Sequence, residues 1–154
     1  MVMIAASILV LVFLFLRYRV ATPFPLEKIK LAEGKEKFTE LITHTKKPTV
    51  VSFYAHWCGE CLMEMNDWIN YENGIILKNF EIILISDKEN AGVRMIQSRF
   101  PELQNIFISE LPVREYSIYA FPTNYVFNSD GKLMWKSVGS VSPESLKTLI
   151  NTNE

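Results

Sequence analysis

Residues 49–61 read TVVSFYAHWCGEC, and this stretch decides the fold. Its first seven residues are β-branched, aromatic or small and predict a buried strand over 49–55. From Gly59 to about Tyr71, Leu62, Met65, Trp68 and Ile69 recur at helical spacing, which predicts an amphipathic helix. Cys58 and Cys61 therefore lie at a strand-to-helix junction. With two intervening residues at a helix start, two sulfurs reach bonding distance with little backbone rearrangement. The first sulfur also faces the unpaired N–H groups of the opening turn. Those donors and the helix dipole stabilise a thiolate, so Cys58 is the expected nucleophile and Cys61, one turn further in, the more buried resolving thiol. The chemistry this permits is thiol:disulfide exchange through a mixed disulfide on Cys58.

The rest of the chain alternates between helical and strand-like segments, which implies an α/β class with a sheet flanked by helices. Phe38, Leu41 and Ile42 predict a helix over about 35–45, ended by Pro48. A second apolar run, FEIILIS over 80–86, predicts another strand; a helix is expected over 91–100 and a short strand over 105–109. Strands over 123–127 and 132–138 flank Asn-Ser-Asp-Gly at 128–131, a strong hairpin signal. Ser142 as N-cap with Pro143 in the first helical position opens a closing helix to about Ile150, with Leu146, Leu149 and Ile150 inward.

At 154 residues, half of them apolar, the chain has room for one compact domain and a short appendage. Sixteen basic and 17 acidic residues give a net charge of −1, without the clustered basic face that nucleic acid requires. The only two cysteines are the adjacent pair, so no framework of structural disulfides is possible. A Cys-x-x-Cys pair is also half of a zinc site. His56 adjoins the motif too closely to share its metal, however, and His44 stands in no recognised ligand spacing. No metal and no bound cofactor are expected, and there is no phosphate loop or nucleotide fingerprint.

Residues 1–16, MVMIAASILVLVFLFL, carry no charge and read as a membrane segment, with Arg17 and Arg19 just beyond it. A helix of this length at ~1.5 Å per residue spans roughly 24 Å, short of the ~30 Å hydrocarbon core. Bilayer thinning or snorkelling arginines close that gap. A cleaved secretory signal is the rival reading, but no basic residue precedes the run and no clear small-x-small site follows it. The expected organisation is an anchor or uncleaved signal over 1–20, a linker over 21–34 and a catalytic domain over 35–154.

The run 50–61 resembles the strand and active site of thioredoxin-like proteins, and Ala120-Phe121-Pro122-Thr123 resembles their second signature, a cis-proline loop before a strand. The long segment between the cysteines and Pro122 is similar to the TlpA/ResA-like branch, extracytoplasmic thiol:disulfide oxidoreductases that are often membrane-tethered. This resemblance implies a thioredoxin-like fold with a central mixed sheet and an N-terminal transmembrane segment. It implies that Phe121 and a cis Pro122 pair with an extended substrate segment, with Trp57 on the surface around Cys58. Ser52 stands where thioredoxin has a buried aspartate, so that acid is expected to be missing, and Glu89 is the residue that best matches the glutamate of ResA-like sites. An ordinary solvated loop carboxylate is the alternative for Glu89.

Gly59, Glu60 and His56 are the expected tuning residues. Glu60 places negative charge near Cys58, which disfavours the thiolate and favours a more reducing couple. His56 is equally readable as a surface residue before the active-site turn. The implied function is a reductase acting on disulfides of exported proteins, apocytochrome c among them, supplied with electrons by a membrane or extracytoplasmic thiol donor. A disulfide oxidase or isomerase, and a peptide-binding module without turnover, are the alternatives. Arg17 and Arg19 favour a cytoplasmic domain by the positive-inside rule, whereas the resemblance favours the extracytoplasmic side. A topology reporter fused at Glu154 is expected to report that second side; a cytoplasmic signal would end the export reading.

Overall fold

The computed structural model describes residues 38–43, 45–87 and 90–151. The expected membrane segment, the linker, His44 and Glu89 lie outside them. Among the described residues no helix is long and apolar enough to cross a membrane.

The elements are helix α1 (Phe38–Thr43), strand β1 (Thr49–Tyr54), helix α2 (Gly59–Asn70), helix α3 (Ile75–Asn79), strand β2 (Glu81–Asp87) and helix α4 (Asn90–Arg99). Strands β3 (Asn105–Ser109), β4 (Thr123–Phe127) and β5 (Leu133–Val138) and helix α5 (Pro143–Asn151) complete the fold. The strands form one mixed sheet in the order β3-β2-β1-β4-β5. β1 pairs in parallel with β2 and β2 with β3; β1 pairs antiparallel with β4, as β4 does with β5.

β1 is central and buried on both faces, and its alternation divides the core. Val51 and Phe53 join Ile42 of α1 with Ile83, Tyr125 and Phe127 on one side of the sheet. Val50 and Tyr54 join Cys61, Met65 and Trp68 of α2, Ile96 of α4 and Leu146 of α5 on the other. Phe53, Tyr54, Trp68 and Phe80 are buried, while Phe107 and Trp135 are half-buried against the same clusters.

Several boundaries differ from expectation. α1 does not reach residue 45, after which the chain bends at Lys46 and Lys47 before Pro48, and Phe80 is not the first residue of a strand but the residue that closes α3, donating its N–H to Ile76 O at 2.8 Å. α3 and the flanking 3-10 turn Tyr71–Asn73 were not expected. The break between α2 and α3 falls at Glu72, Asn73 and Gly74, which all have positive φ, so the chain reverses before Ile76 is buried. A second 3-10 turn, Val113–Tyr116, packs Val113 and Tyr116 under the sheet beside α1.

The hairpin and closing helix follow expectation. Asn128 accepts from the N–H groups of Asp130 and Lys132 through Oδ1, and Gly131 takes the positive φ that closes the turn. Ser142 Oγ accepts from Ser145 N at 3.3 Å as the N-cap of α5, whose Leu146 is buried. Trp68 ties α2 to this part of the chain, since its indole N–H donates to Val141 O at 3.1 Å while the ring is fully buried. Trp68→Ala is expected to lose about 3–5 kcal/mol in urea unfolding, from the cavity and the unpaired carbonyl together; a loss below about 1 kcal/mol would show that this contact does not hold α2.

Candidate active site

β1 ends at Tyr54, and a turn over 55–58 delivers Cys58 to the start of α2, with Cys58 N donating to Ala55 O at 3.0 Å. Cys58 is the N-cap of α2, and its Sγ accepts from Cys61 N at 3.2 Å. This is the thiolate-stabilising arrangement expected from the spacing. The two residues are joined as a disulfide with Cα atoms 5.3 Å apart. Cys61 is fully enclosed, whereas Cys58 keeps 7% exposure, so the outer sulfur is the one open to attack.

Phe121–Pro122 is a cis peptide bond immediately before β4. The Phe121 ring meets the Trp57 indole edge to face at 6.0 Å, and Trp57 itself is 70% exposed beside Cys58. A cleft of about 220 Å³ opens there, lined by Tyr54, His56, Trp57, Asp87 and Phe121 among others. His56 is half-buried and packs against α4 at Gly92, where an added Cβ would lie 3.1 Å from the His56 Cβ. The close approach of α4 to the active-site turn therefore depends on a glycine. Gly59 and Glu60 sit exposed in the first turn of α2, so the Glu60 charge faces water. Cys58, Cys61, Trp57, His56, Gly59, Glu60, Phe121 and Pro122 thus converge on one end of the sheet. Glu89 belongs to the undescribed residues.

The strand carries no acid at Ser52, but a buried acid that was not expected comes from α2. Glu64, one turn after Cys61, is 3% exposed. Residues three apart share a helix face with Cβ atoms about 5–6 Å apart, so Glu64 leaves α2 on the same face as the inner cysteine. Glu64 Oε1 accepts from Asn124 Nδ2 at 2.8 Å and from Val141 N at 2.6 Å. Burial pushes its pKa from 4.5 up to about 8, against the opposing effect of the Val141, Asn124 and Ser52 groups; the negative charge of Glu60 adds to the rise. Ser52 and Asn124 are paired across β1 and β4, directly under this carboxyl. The acid side chain comes from α2 rather than from the strand. Its signal was a charged residue inside the apolar stripe that Cys61, Met65 and Trp68 mark on the helix.

The same region is wired to the proline loop. Gly139 N donates to Pro122 O at 2.8 Å, and Asn124 Nδ2 also donates to Gly139 O at 3.3 Å. Gly139 takes φ +97, which lets both its peptide groups turn inward.

Residues 35–153 match the thioredoxin-like domain family. The chain is 28% identical over 122 residues to a thioredoxin of Mycoplasmoides gallisepticum, an alignment covering 79% of this chain and 99% of that one. Among solved structures, it is similar to a thiol:disulfide interchange protein of Chlorobium tepidum (TM-score 0.60, 18% identity, 79% of this chain and 88% of that one). It is also similar to StoA of Bacillus subtilis (TM-score 0.52, 21% identity, 79% and 93%). With its paired cysteines at a helix N-cap beside a cis-proline loop, the chain belongs to the thioredoxin-like domain family and is a thiol:disulfide oxidoreductase.

Proposed function

We propose that the protein reduces disulfides in exported proteins, with residues 1–16 as its membrane anchor and the folded domain on the extracytoplasmic side. The observation that carries the reading is the Cys58 N-cap beside a deeply buried Cys61 and a buried Glu64. In the dithiol form, Cys58 thiolate attacks one sulfur of a substrate disulfide, the substrate S–S bond breaks, and the departing thiolate takes a proton from solvent. Cys61 then gives its proton to the Glu64 carboxylate and attacks Cys58 Sγ; the mixed disulfide breaks, the second substrate sulfur leaves as a thiolate that takes a proton from solvent, and the Cys58–Cys61 disulfide remains. An acid poised at about 8 is well matched to a thiol of ordinary pKa near 8.5. Two electrons from a membrane or extracytoplasmic dithiol return the pair to its starting state. Trp57, exposed and in ring contact with Phe121, gives the attacking sulfur an aromatic surround, and the Phe121 backbone next to Pro122 pairs with an extended substrate strand in this reading.

Exported proteins with paired cysteines are the substrate class, with apocytochrome c as the member suggested by the similarity to TlpA/ResA-like proteins. The exposure of Glu60 leaves its influence on Cys58 weak, so the reducing direction rests on the couple as a whole.

Insulin disulfides are expected to be reduced by the full-length protein with dithiothreitol and not by Cys58→Ser. Equal inactivity of both proteins, with substrate still captured, would favour a binding module. Equilibration with glutathione is expected to give a potential near the thioredoxin value of about −270 mV, and a value near about −120 mV would make the protein an oxidase. Because Glu64 titrates higher in the folded than in the unfolded chain, its contribution to stability is full below pH 4.5 and is lost as pH rises through about 8. Urea unfolding across that range is expected to show this decline in the parent and a flatter profile in Glu64→Gln; parallel profiles would contradict the buried, titrating carboxyl.

A further inference from the structure

Three oxygens in the cluster under the cysteine pair are buried and make no hydrogen bond within ordinary limits: Glu64 Oε2, Ser52 Oγ and Asn124 Oδ1. All three belong to side chains that meet at one place, since Ser52 and Asn124 are register partners and Asn124 Nδ2 already binds Glu64 Oε1. The orientation of the Asn124 amide is set by its neighbours. Its nitrogen faces two acceptors, Glu64 Oε1 and Gly139 O, so its oxygen must be the atom left over.

Counting donors separates the two states of the acid. Glu64 Oε1 is saturated by Asn124 Nδ2 and Val141 N, so any proton the carboxyl carries resides on Oε2. With Glu64 ionised, the single hydrogen of the Ser52 hydroxyl can serve Glu64 Oε2 or Asn124 Oδ1 but not both. With Glu64 protonated, Oε2–H can donate to Ser52 Oγ and Ser52 Oγ–H to Asn124 Oδ1, which leaves no oxygen of the cluster unpaired. Ser52 thus serves Oε2 in both states, donating to the carboxylate and accepting from its proton; the bond to the charged form is the stronger, so the hydroxyl favours the carboxylate while directing the proton to one named oxygen.

We propose that Ser52 and Asn124 are positioning residues for proton exchange at Cys61: Asn124 clamps Glu64 by Oε1, and Ser52 receives the hydrogen bond of the proton that Oε2 takes from the Cys61 thiol. The step is balanced, with the Cys61 S–H bond broken, the Glu64 O–H bond formed and the sulfur electron pair freed to attack Cys58. Asn124 has a second task. Through Gly139 O it connects the acid to the residue whose N–H holds Pro122 O, so one amide keeps the proton acceptor in register with the proline loop. The inference rests on the assignment of Glu64 as the acid in the reductase reading above. The groups that act on Glu64 are Glu60 on its own helix, Ser52 on β1, Asn124 on β4 and the Val141 N–H of the following loop, of which only Glu60 is charged.

The test is the resolution step itself. Full-length protein carrying thionitrobenzoate in mixed disulfide with Cys58 releases the coloured thiol when Cys61 attacks, and the rate is followed against pH in the parent, Glu64→Gln, Ser52→Ala and Asn124→Leu. The parent profile is expected to show an inflection that Glu64→Gln abolishes. Ser52→Ala and Asn124→Leu each remove a group that favours the carboxylate, so both are expected to move that inflection upward by about half a pH unit or more and to slow release at neutral pH by about threefold or more. Ser52→Ala placed on Glu64→Gln should shift nothing further. Both single variants keeping the parent inflection, whatever their stability, would overturn the proposal and leave the reductase reading standing. A Glu64→Gln profile identical to the parent would remove the acid and overturn both.

Discussion

One residue of the backbone, Val141, is gripped from both sides by one helix. Its N–H is taken by Glu64 and its C=O by Trp68, residues four apart on the buried face of α2. The helix that carries both cysteines is thereby fixed against the loop between β5 and α5, two residues from Gly139, which in turn holds the Pro122 carbonyl. Without that double contact α2 would still bury Met65 and Cys61, and the Asn124–Glu64 hydrogen bond would be left to direct its position along the sheet. Apolar burial supplies most of the attraction, and the hydrogen bonds to Val141, with that from Asn124, supply the register.

The polar part of this arrangement explains how a buried carboxyl is tolerated. An isolated glutamate at this depth would be expected to lower stability or to stay neutral at all working pH values. Glu64 instead has one oxygen saturated by two donors and the other left for a titratable proton, which places its pKa within reach of a thiol. The helix N-terminus works on the outer sulfur in the opposite sense, favouring charge at Cys58. The two ends of one turn therefore divide the chemistry, with a stabilised thiolate outside and a proton acceptor inside.

Local signals were readable where the physics is local. β-branched density marked β1, helical spacing marked α2, Asp-Gly marked the hairpin and Ser-Pro marked the start of α5, each because neighbouring residues constrain one another. The short α3 escaped because five residues offer too little periodicity, and its start depends on positive φ at Glu72, Asn73 and Gly74. Phe80 reads as strand by type but is claimed by the end of α3, where packing overrides propensity.

By itself the sequence determined the nucleophile, its resolving partner and the strand-helix junction that activates them, because these lie in one short stretch whose geometry is dictated by its own residues; the proline loop facing them was legible only through the resemblance to thioredoxin-like proteins. The Cys58 and Cys61 pair needed no tertiary information. The acid did. Ser52 showed that the strand aspartate is missing and Glu89 was the carboxylate expected instead, whereas only the folded chain shows Glu64 swung from α2 onto the Ser52–Asn124 pair. That meeting joins residues 52, 64, 124 and 141, contacts made by sheet register and helix docking, and no rule acting along the chain brings four such distant positions to one proton.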